Sequence, residues 1–277
     1  MEKPIGKEDY AEPRCLLCDE PYGAEPAVRP VPQKRIVEKV DEYMSRRDYA
    51  GVERHLLYWL EEAKLGRDLR GELLIRNELV GHYRKVGDRE KAYASAEEAL
   101  RLLDAIGYDG SISAGTSFVN IATVYNAFGD NDRALALFER ARAVYEAIPS
   151  VKPELLGGLY NNMALTCVSL GRFREAHELY EKALAVMGRV ENGCLEQAIT
   201  YLNMANAAEA EKGLLEADGE IAHCLDAALA LLETPSVPRN GYYAFVCEKC
   251  APTFAYYGYF FAANELNEAA RAIYEGA

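Results

Sequence analysis

The sequence predicts an all-α chain of about six stacked helix pairs, and three observations carry that prediction. Gly87-Asp88, Gly129-Asp130 and Gly171-Arg172 stand at intervals of 42 residues, each flanked by apolar residues at helical spacing. The same residue types recur at fixed distances from each glycine, and self-similarity at a fixed period is the signature of a stacked repeat. Composition agrees. Half of the 277 residues are hydrophobic, Ala, Leu, Glu, Lys and Arg are abundant, and β-branched residues are comparatively few, which favours helix over strand.

Residues 1–32 hold six prolines and read as an extended tail; the stacked pairs occupy 33–277. In the first pair Tyr43, Arg47-Asp48-Tyr49, Leu56 and Trp59-Leu60 follow the pattern, with Arg47 in the place of the turn glycine. The three central pairs are the clearest. Leu79-Val80, Ile121-Ala122 and Met163-Ala164 precede the glycine by seven or eight residues, and Tyr83, Tyr125 and Cys167 by four. Ala92, Ala134 and Ala176 follow it by five, and Ala99, Ala141 and Ala183 by twelve, with Ala96, Phe138 and Tyr180 nine residues on. In the fifth pair Met204-Ala205 fits, and the turn near Lys212-Gly213 is lengthened before Ile221, Leu225 and Ala228. Phe254, Gly258, Ala263 and Ala270 mark the last. Physically, a helix ends at each glycine, which tolerates the left-handed turn conformation, and a second helix starts at once. Alanines let the two backbones approach, larger residues fill the space between pairs, and one pair cannot bury its apolar face alone. Pro149, Pro153, Pro235 and Pro238 fall between pairs, where a helix must stop.

The order of bulky, aliphatic and small residues, Tyr, Gly-Asp, Ala, aromatic, Ala resembles the tetratricopeptide repeat. Its usual period is about 34 residues, and the longer period here adds roughly one turn to each helix of a pair. That resembles the long-helix subclass of kinesin light chains and of bacterial regulators that bind signalling peptides. The resemblance implies a right-handed superhelical solenoid acting as a non-enzymatic scaffold. Its partner would be another polypeptide or an extended peptide, held in a concave groove lined by the first helix of each pair. A peptide-responsive regulator is the alternative it leaves open. Asn120, Asn162 and Asn203 recur one residue before Ile121, Met163 and Met204; Asn77 and Asn161 lie beside that register, and Arg84, Lys85 and Asn126 a turn or two further along. In proteins resembling this one, asparagines at such places bond the backbone of an extended peptide. A carboxamide both donates and accepts, as an unpaired strand requires. The same residues also suit bridging between helices of the stack.

Other functions find less support. A net charge of −13 disfavours a nucleic-acid partner. No apolar signal segment or membrane-length run is present, so a cytoplasmic protein without a membrane partner is expected. No phosphate-cradling glycine loop, nucleophile-elbow serine or HExxH pair occurs, and His55, His82, His177 and His223 are scattered; no catalytic residue is assigned. Seven cysteines are too few and odd in number for a disulfide framework. Cys247 and Cys250 occupy register positions held by Phe118 and Ile121 and read as core thiols. Cys15 and Cys18 form half a zinc site in the tail, which would need ligands from elsewhere and would make the chain a zinc-linked assembly protein. No other cofactor or metal is expected. The last pair carries ten aromatic residues between Tyr242 and Tyr274, more than one interface absorbs, so a homodimer through this repeat, or docking of the tail there, is expected.

Overall fold

The computed structural model describes residues 28–107 and 110–276. Among these the chain forms twelve α-helices and no strand: α1 (Gln33–Ser45), α2 (Tyr49–Leu65), α3 (Leu69–Val86), α4 (Arg89–Ile106), α5 (Ile112–Ala127), α6 (Asn131–Ala147), α7 (Pro153–Ser169), α8 (Phe173–Met187), α9 (Cys194–Lys212), α10 (Asp218–Leu232), α11 (Gly241–Tyr256) and α12 (Phe260–Glu275). They form six consecutive pairs, the number the repeat spacing predicts. No described helix is long and apolar enough to cross a membrane. The chain divides after Ile75, within α3, into two compact units.

In the first unit, Ile36, Val40, Val52, Leu56, Leu60, Ala63, Leu73 and Ile75 are buried. Arg47 has φ of 56°, so the residue replacing glycine does adopt the left-handed conformation that the turn demands. Asp48 then caps α2 by accepting the Gly51 N–H. The end of the predicted tail is held rather than loose. The Arg29 N–H donates to the Gly66 carbonyl and the Val31 N–H to Asp68 Oδ2, both at 2.9 Å. Asp68 Oδ1 meanwhile accepts the Gly71 N–H, so one carboxylate caps α3 and pins the strap of residues 29–31.

In the second unit each pair packs internally and against the next: α5 with α6, α7 with α8, α9 with α10, α11 with α12, and between pairs α6 with α7 and α8 with α9. Gly87, Gly129, Gly171, Gly213 and Gly258 all have φ between 71° and 85°, and each follows the first helix of its pair. The alanines that the spacing singles out, Ala92, Ala99, Ala134, Ala141, Ala176 and Ala183, are completely buried at the crossings. After four of the glycines the second helix begins two residues on, whereas α10 starts only at Asp218, five after Gly213. The lengthened fifth turn is therefore real. First helices also touch one another, α5 with α7, α7 with α9 and α9 with α11, more closely than second helices do. They form a continuous row along one side of this unit.

Candidate partner-binding surface

Charge is scarce on two of the first helices, α5 and α7, whereas α3 and α9 each carry four or more charged residues. Helix α5 contains no charged residue and α7 only Glu154. Helix α6 between them carries Asp132, Arg133, Glu139, Arg140, Arg142 and Glu146. Ion pairs in this unit gather on the second helices, such as Arg142 with Glu139 at 2.5 Å and Arg133 with Glu97 at 3.6 Å. On the first-helix row, the side turned from the core carries small or uncharged residues: Thr123 and Ala127 on α5, Leu165 and Ser169 on α7, Asn206 and Ala210 on α9.

The asparagines singled out by the sequence all lie on this row, in two different roles. Asn77 Nδ2 on α3 donates to Ser117 Oγ on α5 at 2.8 Å. Asn126 Nδ2 on α5 donates to Thr166 Oγ1 on α7 at 2.9 Å, and to Asn131 Oδ1 at 3.2 Å. Asn203 Nδ2 on α9 donates to Asn161 Oδ1 on α7 at 3.2 Å. Four of the candidates thus stitch one first helix to the next. Ser117 and Thr166 are buried and pass their own protons to the Ser113 and Asn162 carbonyls, so each bridge continues into a helix backbone.

Asn120 and Asn162 differ from these. Each is half-buried at the border of the open side, and neither carboxamide has a hydrogen-bond partner among the described residues. They are 42 residues apart on consecutive first helices. Arg84 is exposed near the end of α3, beside the exposed Lys85. The near absence of charge on α5 and α7, which sequence reasoning passed over, would have marked this surface without any structure.

A cavity of about 450 Å³ lies where the first turns of α7 and α9 approach the loop before α11, lined by Gly158, Met187, Leu195, Glu196 and Tyr242 among others. Burial raises the Glu196 carboxyl above its ordinary value, with Lys249 opposing the shift, and the Tyr242 hydroxyl donates to Glu196 Oε1.

Cys247 and Cys250 are buried in the core formed by α9 to α12. Burial pushes the Cys250 thiol up to about 12, so it stays protonated as a core thiol does. Cys15 and Cys18 lie outside the described residues. Among those described, no group of three or more His, Cys, Asp or Glu side chains is placed to hold a metal ion.

Residues 72–147 and residues 157–192 each match a sequence profile of the tetratricopeptide repeat. A search of curated protein sequences finds no match. Among solved structures the chain is similar to the nearly identical TPR-like repeats ascribed to a kinesin light chain of Podosopora anserina. The identity is 21%, covering 72% of this chain and 92% of that one with a TM-score of 0.50; a substituted form of the same protein gives 21%, 72%, 92% and 0.51. BtubC (BKLC) from P. vanneervenii is 16% identical over 89% of this chain and 92% of its own, with a TM-score of 0.49. At such identities the likeness is one of fold. Tetratricopeptide repeats serve in general as protein–protein interaction scaffolds and are typically non-catalytic. Over residues 72–147 and 157–192, therefore, this chain is built of tetratricopeptide repeats.

Proposed function

We propose that the chain is a non-enzymatic scaffold that binds an extended segment of another polypeptide along its row of first helices, with Asn120 and Asn162 as the carboxamides that read the segment's backbone. The observation that carries this reading is the scarcity of charge on α5 and α7, the two first helices that bear Asn120 and Asn162. Two neighbouring helices with almost no charge let a backbone approach closely there. A charged row would demand an oppositely charged ligand or an ordered water layer. Neighbouring packed helices lie about 10 Å apart, which is about three residues of an extended chain. Asn120 and Asn162 therefore meet backbone groups one short step apart, each offering one donor and one acceptor. The closer contact among first helices supports a row that lies inside the curve of the stack, where a groove forms.

The test needs no knowledge of the natural partner. Peptides selected from a random display library on the purified chain are titrated against wild type and against Asn120→Ala/Asn162→Ala. Even one lost hydrogen bond of about 1 kcal/mol at each of the two positions predicts at least roughly 30-fold weaker binding. Equal affinity for both proteins removes the asparagines from the site, and selected peptides that compete with nothing on this row remove the row itself.

A further inference from the structure

The fifth and sixth turns depart from the others in a way that the groove does not use. The three residues after the turn glycine are Asp88-Arg89-Glu90, Asp130-Asn131-Asp132 and Arg172-Phe173-Arg174 in the central pairs. The fifth turn has Leu214-Leu215-Glu216, and the sixth has Tyr259-Phe260-Phe261. Leu215 is 94% exposed and Phe261 89%, with Leu214, Tyr256 and Phe260 also exposed. Hydrogen bonds fix these two turns side by side. The Tyr256 and Tyr257 hydroxyls at the end of α11 donate to Glu209 at the end of α9, at 2.8 and 2.7 Å. The Tyr259 hydroxyl donates to Asp226 on α10 at 3.0 Å. Three of the ten aromatic residues of the last pair thus spend their hydroxyls on carboxylates of the preceding pair. The leucines and phenylalanines have no such anchor. They stand as an apolar patch, and exposed apolar patches mark contact sites.

The surroundings of the patch select its occupant. From Glu209 to Asp226 the chain holds six acidic residues and one lysine, Lys212, which is engaged by Glu220. Between Thr253 and Asn264 there is no charged residue at all. The apolar centre is therefore rimmed by carboxylates with no basic residue left over. A second copy of this chain would bring the same carboxylates against one another, and an anionic lipid surface would be repelled in the same way. We infer that the turn edge of the last two pairs is a second docking surface, separate from the first-helix row, for a basic amphipathic segment: apolar side chains seated on Leu214, Leu215, Phe260 and Phe261, with flanking Lys or Arg against Glu211, Glu216 and Asp218. Adjacent turns about 10 Å apart match residues i and i+7 of a helix that rises about 1.5 Å per residue.

Three probes test it on the full chain: a synthetic 18-residue amphipathic peptide with Leu at i, i+3, i+4 and i+7 and Lys elsewhere, the same peptide with Glu in place of Lys, and vesicles of phosphatidylcholine with phosphatidylserine. The basic peptide is expected to bind at low ionic strength and to weaken as salt rises. It should bind at least 10-fold more weakly to Leu215→Ser/Phe261→Ser, whose changed side chains are exposed and leave the fold intact by circular dichroism. Glu211→Lys/Glu216→Lys should weaken it comparably, while Asn120→Ala/Asn162→Ala leaves it unchanged. A loss in that last variant would place the peptide in the groove and overturn the second surface. Equal binding of the acidic peptide, binding to the vesicles, or a concentration-dependent dimer abolished by Leu215→Ser/Phe261→Ser would each overturn the assigned occupant.

Discussion

Asn126 donates to the buried hydroxyl of Thr166 across 40 residues of sequence, at 2.9 Å. Thr166 in turn donates to the Asn162 carbonyl at 3.0 Å, so its proton is already committed and its lone pairs face the Asn126 carboxamide. Removing the carboxamide leaves that acceptor unfilled in a site it cannot rehydrate easily. Asn126→Ala is expected to destabilise the fold by about 1–2 kcal/mol, read as a lower urea midpoint at unchanged slope. Asn120→Ala, which breaks no bond within the chain, should stay within about 0.5 kcal/mol of wild type. If the two variants lose equal stability, the division between stitching and ligand-facing asparagines is wrong.

The turn at Arg47 carries strain that the glycine turns within the later pairs avoid. A non-glycine residue in the left-handed region costs about 1–2 kcal/mol, and Arg47 takes that conformation with φ of 56°. Arg47→Gly relieves the Cβ clash but adds freedom to the unfolded chain. The net expectation is a gain of about 0.5–1 kcal/mol, visible as a higher thermal midpoint. A loss would mean that the Arg47 side chain contributes contacts outweighing the strain.

What the sequence made legible follows from backbone necessity. A tight turn between antiparallel helices needs a residue that tolerates positive φ, and a close crossing needs a small one, so glycines and alanines recur at fixed places and can be read directly. The fifth turn was legible because Gly213 is followed by too many residues before Ile221. Asn126 and Asn120 were not separable, because identical carboxamides on one helix bridge or stay open according to where the next helix lies. That depends on contacts 40 residues away, which no local pattern encodes. The exposed rings of the last pair were legible in number. Their anchoring to Glu209 and Asp226 was not, since those carboxylates belong to the preceding pair.

Glu196 gives a pH-dependent prediction. Its folded-state carboxyl titrates above the ordinary value because burial penalises the charged form. The folded protein therefore holds this proton more tightly than the unfolded chain. Stability from Glu196 is fully present below the unfolded value and is lost as pH rises through the raised folded value. Glu196→Gln, which can still accept from Tyr242, should raise stability at neutral pH and converge with wild type near the ordinary carboxylate value of about 4. A stability difference that does not change with pH across that window would show that the carboxyl is not penalised in the folded state.

The last prediction concerns a second repeating contact, one the turn glycines overshadowed. Gly115 on α5 and Gly157 on α7 are 42 residues apart, and so are the side chains they face, Tyr145 and Met187. A Cβ at Gly115 would stand 2.4 Å from Tyr145 Cε1 and 2.9 Å from Cδ1. That ring is almost wholly buried, and its hydroxyl is tied to Thr116 Oγ1 at 3.0 Å, so it has nowhere to go. A Cβ at Gly157 would stand 2.5 Å from Met187 Sδ, the flexible end of a side chain with three rotatable bonds that fills gaps adaptively. Both substitutions gain about 1 kcal/mol of helix propensity from glycine to alanine. Overpacking costs about 1–3 kcal/mol where the neighbour cannot yield. Gly115→Ala should therefore be destabilising on balance, while Gly157→Ala should be close to neutral. Combining Gly115→Ala with Tyr145→Met gives the decisive measurement, because the two residues touch and their effects should not add. The double variant is expected to be more stable than the sum of its single changes predicts, since a methionine at 145, like Met187 in the next repeat, can yield to the added Cβ where the ring cannot. Strict additivity in chemical denaturation would show that the glycine answers to something other than the ring in front of it.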